Sequence, residues 1–505
     1  MKFIIFTTLI LLIVYIYLYN NIENENYSNQ IDTYDVIMVG GGLTSLYLCS
    51  KLLSINNSLK ILVLEKENYF GGQLLNNSHM CEFGAMRFFP SIHPKMAKLV
   101  KELNLPIKKV NLYTGDMILR DKLYKITDSI EKTAIDYHLT NNDKQIVSKF
   151  KDINNIIQEH FDNVMKEDIK NFDITNLEQR KNLTIKYSNL NYRNELITNY
   201  PNFSEDFFNY YQDTNSYSDI WNEEMSFALG YIFNIASQDV KDQYFFTNGT
   251  QSLINALINK CKSFSNQIHF QNNSQVVSIN RVNNINYINY VKDLKKQYSV
   301  VCNKLFINIP HDLIQNIPVT INHSIIPFIK NKHLYDDHLT KVNLFKIFLY
   351  FDDADAFWGN LIGKTILSSS FNQIYFYSKN VLLIYIVAQD AYIWESYFPT
   401  NTQLEFIPFY SLPTNLKYKL HYELANIFKH YNLQHKIKPK GVCWKYWNHG
   451  LAFWKSHPKK IDIDKIICPY GKSNNIFYLN VDLSWYQLWM EGCLEIVDTF
   501  IDNNY

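Results

Sequence analysis

The sequence predicts an α/β protein built on a doubly wound parallel sheet, with an apolar helix in front of it. A strand, a glycine turn, a helix and a second strand follow one another from Tyr34 onward. Hydrophobic content of 47% with 19% charged residues is that of a globular chain, not a disordered one. Phe3 to Tyr19 (FIIFTTLILLIVYIYLY) is uncharged and almost wholly apolar, just long enough to cross a bilayer as a helix. At 505 residues the chain exceeds one simple core, so two domains or one interleaved pair are expected.

The apolar segment comes first. A cleaved signal peptide would have a shorter apolar region and a small-residue cleavage site, and neither is visible. An uncleaved single-pass membrane anchor with its linker, residues 1–30, is therefore expected, with secretion after cleavage as the alternative. Lys2 before the span and Glu23 and Glu25 after it favour a cytoplasmic N-terminus. The net charge is +1 with no long basic run, so nothing argues for a nucleic-acid partner. The seven cysteines are scattered singly, without a C-x-x-C pair. Neither a zinc site nor a disulfide framework is indicated, and no metal is expected.

The nucleotide end is next. Val36 to Val39 is an apolar run of strand length, Gly40 to Gly42 a glycine turn, and Leu43 to Leu53 has helical spacing. Ile61 to Leu64 is a second strand that ends at Glu65. This is the order of a βαβ dinucleotide unit. Gly40 permits the tight turn, and Gly42 lets a pyrophosphate approach backbone amides at a helix N-terminus. Ser45 replaces the third glycine and is small enough for close helix packing. Glu65, about 20 residues downstream, is placed to accept ribose hydroxyls. The doublet Gly71-Gly72 offers a second backbone approach to the diphosphate, which many flavoproteins use and pyridine-nucleotide dehydrogenases do not need.

Here the sequence resembles the flavin-containing amine oxidase family, within it the L-amino-acid oxidase and monoamine oxidase branches. VGGGLTS followed by LEKENYFGG is similar to the family's N-terminal FAD signature. CEFGAMRFFPSIHP, with Gly84, Ala85, Met86 and Arg87, resembles its G-A-M-R segment. FTNGTQSLINAL resembles the turn and helix ahead of the second FAD-binding strand set. In QVVSI, Val276 matches the valine whose backbone meets the adenine edge. KLFINIP resembles the strand that closes this half, KIFLYFDDADAFW the lysine strand and VLLIYIVAQDA a substrate-domain strand. SWYQLWMEGCLE, with Gln487 and Trp489, resembles the C-terminal FAD helix.

The resemblance implies a Rossmann-like FAD-binding domain in three pieces, residues 31–110, 236–320 and 456–505. An α+β substrate domain is interleaved with them, as a helical insert at 111–235 and a sheet at 321–455. The insert, Asp116 to Gly230, is polar, mixed in charge and rich in helix-spaced Ile, Phe and Tyr.

The implied activity is oxidation of the C–N bond of an L-amino acid or primary amine. Hydride passes to flavin N5, and O2 accepts the electrons. Because the cofactor carries the hard chemistry, few ionisable residues are needed. Lys346 matches the lysine that holds a water near N5, where burial should lower its pKa; from the strand alone it reads as a strand-end lysine reaching solvent, and Lys341 is the expected exposed counterpart. Arg87 matches an arginine that pairs with the substrate carboxylate in one branch and contacts flavin or structure in another. A planar two-pronged donor suits the first role. Trp489 matches the aromatic beside the flavin, and Phe453 or Trp454 stands near its partner; core packing is the other reading of each. Gly450, Leu451 and Ala452 occupy the stretch where monoamine oxidases carry a flavin-linked cysteine, so FAD is expected to be noncovalent. His93, His449 and Asp390 have no convincing partner in the sequence and are read as structural.

Two departures concern FAD. Gln73 stands where the family has an arginine after the glycine doublet. Asn480-Val481 replaces a Gly-Glu pair whose glutamate bonds the ribityl-phosphate region, leaving Asn480 or Asp482 as substitutes. They motivate a rival reading, a degenerate non-catalytic protein of the same fold with a binding or structural role. A tryptophan-monooxygenase-type oxygenase shares the same motifs and is the rival within the enzyme class.

Overall fold

In the computed structural model the described residues are 31–505 except 111, 113, 150–152, 200, 202, 216–224, 238–241, 323, 326–334, 353–357, 360, 362 and 458–461. The expected membrane span lies outside them. Among the described residues no helix is long and apolar enough to cross a membrane.

Strand Asp32–Val39, helix Leu43–Ile55 and strand Ile61–Leu64 form the βαβ unit. The helix is buried on nearly every side, as an apolar helix inside a large core must be. It packs against helices Gln251–Phe264 and Met490–Asn504 as well as the sheet. Strand Asp32–Val39 pairs in parallel with Ile61–Leu64 on one side and with the long strand Lys296–Ile307 on the other. Ile268–Gln271 extends the parallel set beyond Ile61–Leu64. The long strand is the hub of this sheet: its first half pairs antiparallel with Ile285–Lys292, and its last residues pair in parallel with Ile476–Tyr478.

A second, eight-stranded sheet runs in the order Thr402–Pro408, Gly441–Trp454, Leu339–Tyr350, Val381–Val387, Gln373–Phe376, Gly363–Leu367, Thr114–Leu119, Lys122–Lys125. Its alternation is read directly from Leu339–Tyr350. Phe345, Ile347 and Leu349 face one core, with helix Thr414–Phe428 laying Leu416, Leu420, Leu424 and Ile427 against it. Leu344 and Phe348 face the other core, and Lys346 lies between them on that same face.

The insert differs from expectation at its start. Where a helical stretch is expected from Asp116, the chain makes a hairpin, Thr114–Leu119 and Lys122–Lys125, that joins the second sheet. Its two-residue turn, Arg120-Asp121, has positive φ at both positions (43° and 64°), the backbone that matches strand twist in short hairpins. Helices begin at Ile130 and end with Phe227–Ser237.

The helical layer is locked to the C-terminal helix by a buried ion pair between Arg180 and Glu495, whose side chains are 2% and 3% exposed. The Arg180 guanidinium also stacks on the Tyr486 ring at 4.6 Å.

Candidate functional site

Two glycine-lined backbone runs lie side by side at the end of strand Asp32–Val39. Gly40 has φ +95°, and a Cβ there would sit 2.9 Å from the Asn308 carbonyl oxygen, so only glycine fits the turn. Around Gly42 the space is open: nothing lies within 4 Å of where a Cβ would point. Gly42 also begins helix Leu43–Ile55 with no side chain capping its amides. Gly71 N–H donates to Gly41 O at 2.9 Å, and Gly72 approaches the Gly42 Cα. Ser45, fully buried, donates to Gly40 O at 2.5 Å and braces the turn. The result is an open backbone cradle at a positive helix end, which suits a diphosphate.

Glu65 stands at the strand end as expected, but its carboxylate is already engaged. It accepts from Gly41 N–H at 2.7 Å and from Glu67 N–H at 2.9 Å. Burial raises its pKa, with these two amides pulling the other way. Each oxygen keeps a second lone pair for a hydroxyl. Val276 is buried in strand Ser274–Val282, at a register shift between Val276 and Ser278.

The Arg87 loop is fastened to the segment that follows the glycine doublet and to the second sheet. Ala85 N–H donates to Gln73 O at 3.2 Å and Phe83 N–H to Leu75 O at 2.9 Å, which sets the loop against the glycine doublet. Three successive carbonyls, those of Glu82, Phe83 and Gly84, accept from the second sheet. Lys346 Nζ donates to Glu82 O (3.0 Å) and Gly84 O (2.5 Å), and Trp447 Nε1 to Phe83 O (2.8 Å). Lys346 therefore sits within strand Leu339–Tyr350, fully buried, and spends two donors on the loop that carries Arg87.

Arg87 itself is half-buried. Its guanidinium stands over the Phe89 ring at 5.7 Å, while its buried Nη1 has no hydrogen-bond partner. Phe89 meets Trp489 edge-on at 5.1 Å, and His93 packs against both rings. Arg87 and Trp489 are thus brought to one aromatic patch. Phe453 is not: it has no exposed surface and lies in the core with Phe83, Met86 and Tyr385, so core packing describes it.

Gln487 is a brace as well. Its Oε1 accepts from Trp454 N–H at 2.8 Å, and its Nε2 donates to Asp482 O. Gln73 turns toward the second sheet, donating to His449 O (2.6 Å) and Gly450 O (3.2 Å). Asn480 accepts from Asp482 N–H at 3.2 Å and caps the short turn Val481–Leu483.

The sequence reading of His449 as partnerless is corrected. Its Nδ1 lies 2.9 Å from Asp312 Oδ1 and its Nε2 3.2 Å from Asp482 Oδ2. His311 Nδ1 is 3.0 Å from the same Asp482 oxygen. Burial disfavours the charged ring, but the Asp482 and Asp312 carboxylates outweigh it and hold His449 at about 9. Burial would raise Asp482, yet His449 and His311 hold it well below the usual carboxylate range. Lys341, expected to be exposed, is ion-paired with Asp312 at 2.6 Å. Asp390 accepts from Asn372 at 3.0 Å. His93 Nδ1 accepts from Phe89 N–H at 3.1 Å, and burial pushes its pKa down to about 3. These partners come from distant segments, and no local spacing announces them.

Lys364 is a cation that sequence reasoning missed. Register places Lys364, Tyr375, Leu383 and Phe348 in one cross-strand row on the Lys346 face. Burial, with Arg87 adding to it, lowers Lys364 to about 7.

Burial also lowers Lys346 to about 7, with Glu82 opposing and Arg87 adding to the shift. Glu82 is raised by burial to about 8 despite its bonds to Thr250. From the ordinary 4.5 up to about 8 the folded protein keeps the Glu82 proton that the unfolded chain loses, so stability falls with rising pH. From about 7 to the ordinary 10.5 the unfolded chain keeps the Lys346 proton that the fold has released, so stability rises. Their joint contribution is expected to be lowest between about 7 and 8. Urea unfolding from the ordinary 4.5 of Glu82 to the ordinary 10.5 of Lys346 should show Glu82→Gln flattening the acid limb and Lys346→Met the alkaline limb. Unchanged limbs in both variants would contradict the assigned burial.

Comparison with known proteins bears on the cradle. Residues 38–103 match the model of an NAD(P)-binding Rossmann-like domain. Over 95% of each chain the protein is 23% identical to "Uncharacterized protein R188" of Acanthamoeba polyphaga mimivirus. The chain therefore carries a Rossmann-like dinucleotide-binding domain, which points to an oxidoreductase that uses a flavin or a nicotinamide dinucleotide.

Proposed function

We propose that the protein is an FAD-dependent amine oxidase acting on an L-amino acid or a related primary amine, with O2 as the final acceptor. The observation that carries this reading is Arg87: a guanidinium with a buried, unpartnered Nη1, on a loop fastened beside the glycine cradle. Leaving such a donor without an anion costs about 1–3 kcal/mol or more, so a carboxylate-bearing ligand is the natural occupant. Phe3 to Tyr19 is proposed to tether the protein to a membrane.

The residues present fit FAD at its nucleotide end. The open backbone at Gly42, Gly71 and Gly72 would hold the diphosphate, Glu65 a ribose, and the Val276 backbone the adenine edge. When bound, FAD supplies the electron acceptor for oxidation of the C–N bond. The protein's share is placement and proton handling. Arg87 orients the carboxylate with two parallel donors. Trp489 and Phe89 supply an apolar wall that keeps water from the reacting carbon. Lys346, held at about 7, takes up or gives back a proton at Nζ while its other donors keep the loop still.

Purified protein is expected to be yellow and to bleach anaerobically with a carboxylate-bearing amine. Arg87→Lys should raise KM for such substrates at least about tenfold more than for their decarboxylated counterparts, since an ammonium loses the bidentate fork. Equal effects on both would make Arg87 a flavin or structural contact. Oxygen uptake with a decarboxylated amide product, in place of ammonia and hydrogen peroxide, would mark the monooxygenase outcome.

A second reading, a non-catalytic protein of this fold, draws on a specific set of contacts. Gln73, Asn480 and Asp482, the groups nearest in sequence to the missing arginine and glutamate, all bond within the protein. A colourless protein that cannot be reconstituted with FAD would decide for that reading.

A further inference from the structure

We propose that His311, His449 and Asp482 form a binding site for a divalent transition-metal ion of the zinc type, with Asp312 as the carboxylate that orients His449. The proposal stands whether or not the chain binds flavin.

The geometry is nearly that of a filled site. Asp482 Oδ2 lies 3.0 Å from His311 Nδ1 and 3.2 Å from His449 Nε2. All three prospective ligand atoms fall within 4.8 Å of one another. Zinc–ligand bonds of about 2.0–2.1 Å in a tetrahedron place neighbouring ligand atoms about 3.3 Å apart. Two of the three edges are already at that length, so only a small adjustment of the two histidines would close the third.

Hydrogen bonding accounts for His311, whose backbone N–H (3.4 Å) and Nδ1 (3.0 Å) both meet Asp482 Oδ2, but not for His449. Both ring nitrogens of His449 approach carboxylate oxygens, yet neither makes a hydrogen bond of acceptable direction. The ring is a buried polar group, its side chain 8% exposed, and such groups are rarely left in that state. A metal at Nε2 uses the lone pair there and leaves the Nδ1 proton for Asp312, 2.9 Å away. Asp312 is in turn fixed by Lys341 at 2.6 Å. A carboxylate behind a metal-bound histidine is a recurrent arrangement, because it sets the tautomer and the ring orientation.

Two nitrogen donors with one carboxylate suit zinc and neighbouring first-row ions better than calcium or magnesium, which prefer all-oxygen shells. The ligands come from the first residue of the short helix His311–Ile314 that follows strand Lys296–Ile307, from strand Gly441–Trp454 and from the turn Val481–Leu483. One ion would therefore pin the second sheet to the nucleotide sheet, with a fourth position left for water or another small donor.

The test uses the full chain, stripped with a chelator, dialysed and loaded with Zn2+ or Co2+ alone. Elemental analysis after gel filtration should find about one equivalent of metal retained. His449→Gln and Asp482→Asn should each reduce it at least tenfold. Because those substitutions also disturb a buried cluster, the unaltered chain gives an independent readout: Co2+ should produce ligand-field bands of a four- or five-coordinate site. Less than a tenth of an equivalent retained, with no such bands, would overturn the proposal and leave His449 as an imidazolium between two carboxylates.

Discussion

Replacing Gly84 with alanine is expected to dismantle the site and to destabilise the protein by about 3–5 kcal/mol, the range of severe overpacking with lost hydrogen bonds. The added Cβ would lie 1.9 Å from Gln73 O and 2.8 Å from its carbonyl carbon. No flexible side chain can yield there, because both partners are backbone. The loop must retreat instead, and it is held on each flank: Phe83 and Ala85 bond to Leu75 and Gln73, while Lys346 and Trp447 hold the carbonyls. Retreat removes Lys346 from its acceptors and leaves an ammonium in an apolar core, which is expensive. Gly441→Ala is the matched control, since its nearest neighbours stand 3.4 Å from the new atom. Chemical unfolding of both variants, with FAD binding followed in parallel, checks this. A Gly84→Ala protein as stable as Gly441→Ala would show that the loop is not fixed as described.

The second large effect is expected at Arg180. Arg180 and Glu495 are an ion pair with almost no solvent access. Each is further tied, Arg180 to the Ile174 carbonyl and Glu495 to Ser484 Oγ at 3.0 Å. Burial, opposed by Tyr486, Glu491 and Asp173, pulls Arg180 down to about 10, a sign of how poorly the interior solvates it. Arg180→Met strands Glu495 and should lose about 3–5 kcal/mol, whereas adding Glu495→Leu should return most of it. The pattern distinguishes a paired charge from simple packing: if the double variant is less stable than either single one, the side chains contribute by shape and not by charge.

The parts of this fold that were legible in the sequence are those set by local rules. Val36 to Val39, Leu43 onward and Ile61 to Leu64 announce themselves by apolar run, helical spacing and glycine turn, and the structure has them with Ser45 bracing Gly40. Lys346 is singled out only by the resemblance, since the strand alone reads it as a strand-end lysine reaching solvent; the structure buries it in mid-strand, and its lowered pKa follows from that placement. What could not be read is whatever depends on distant segments meeting. Trp447 reaches a carbonyl 364 positions away, and Gln73 reaches carbonyls 376 and 377 positions away. The ligands proposed for the metal are separated by 138 and 33 residues, so no spacing rule could group them. The hairpin at Thr114–Lys125 was missed for another reason: its turn is Arg-Asp, without the glycine or asparagine that usually marks one.

The way the two sheets share the chain limits what the protein can become. The nucleotide sheet takes strands from 32–64, 268–325 and 476–478, and the second sheet takes 114–125 and 339–454. No contiguous stretch contains either sheet complete without strands of the other. Recombination cannot lift out the nucleotide half as a module, and a shortened gene cannot retain it. Whatever chemistry the cradle serves, this architecture has to be inherited whole, so divergence must proceed by substitution at fixed positions and not by exchange of parts.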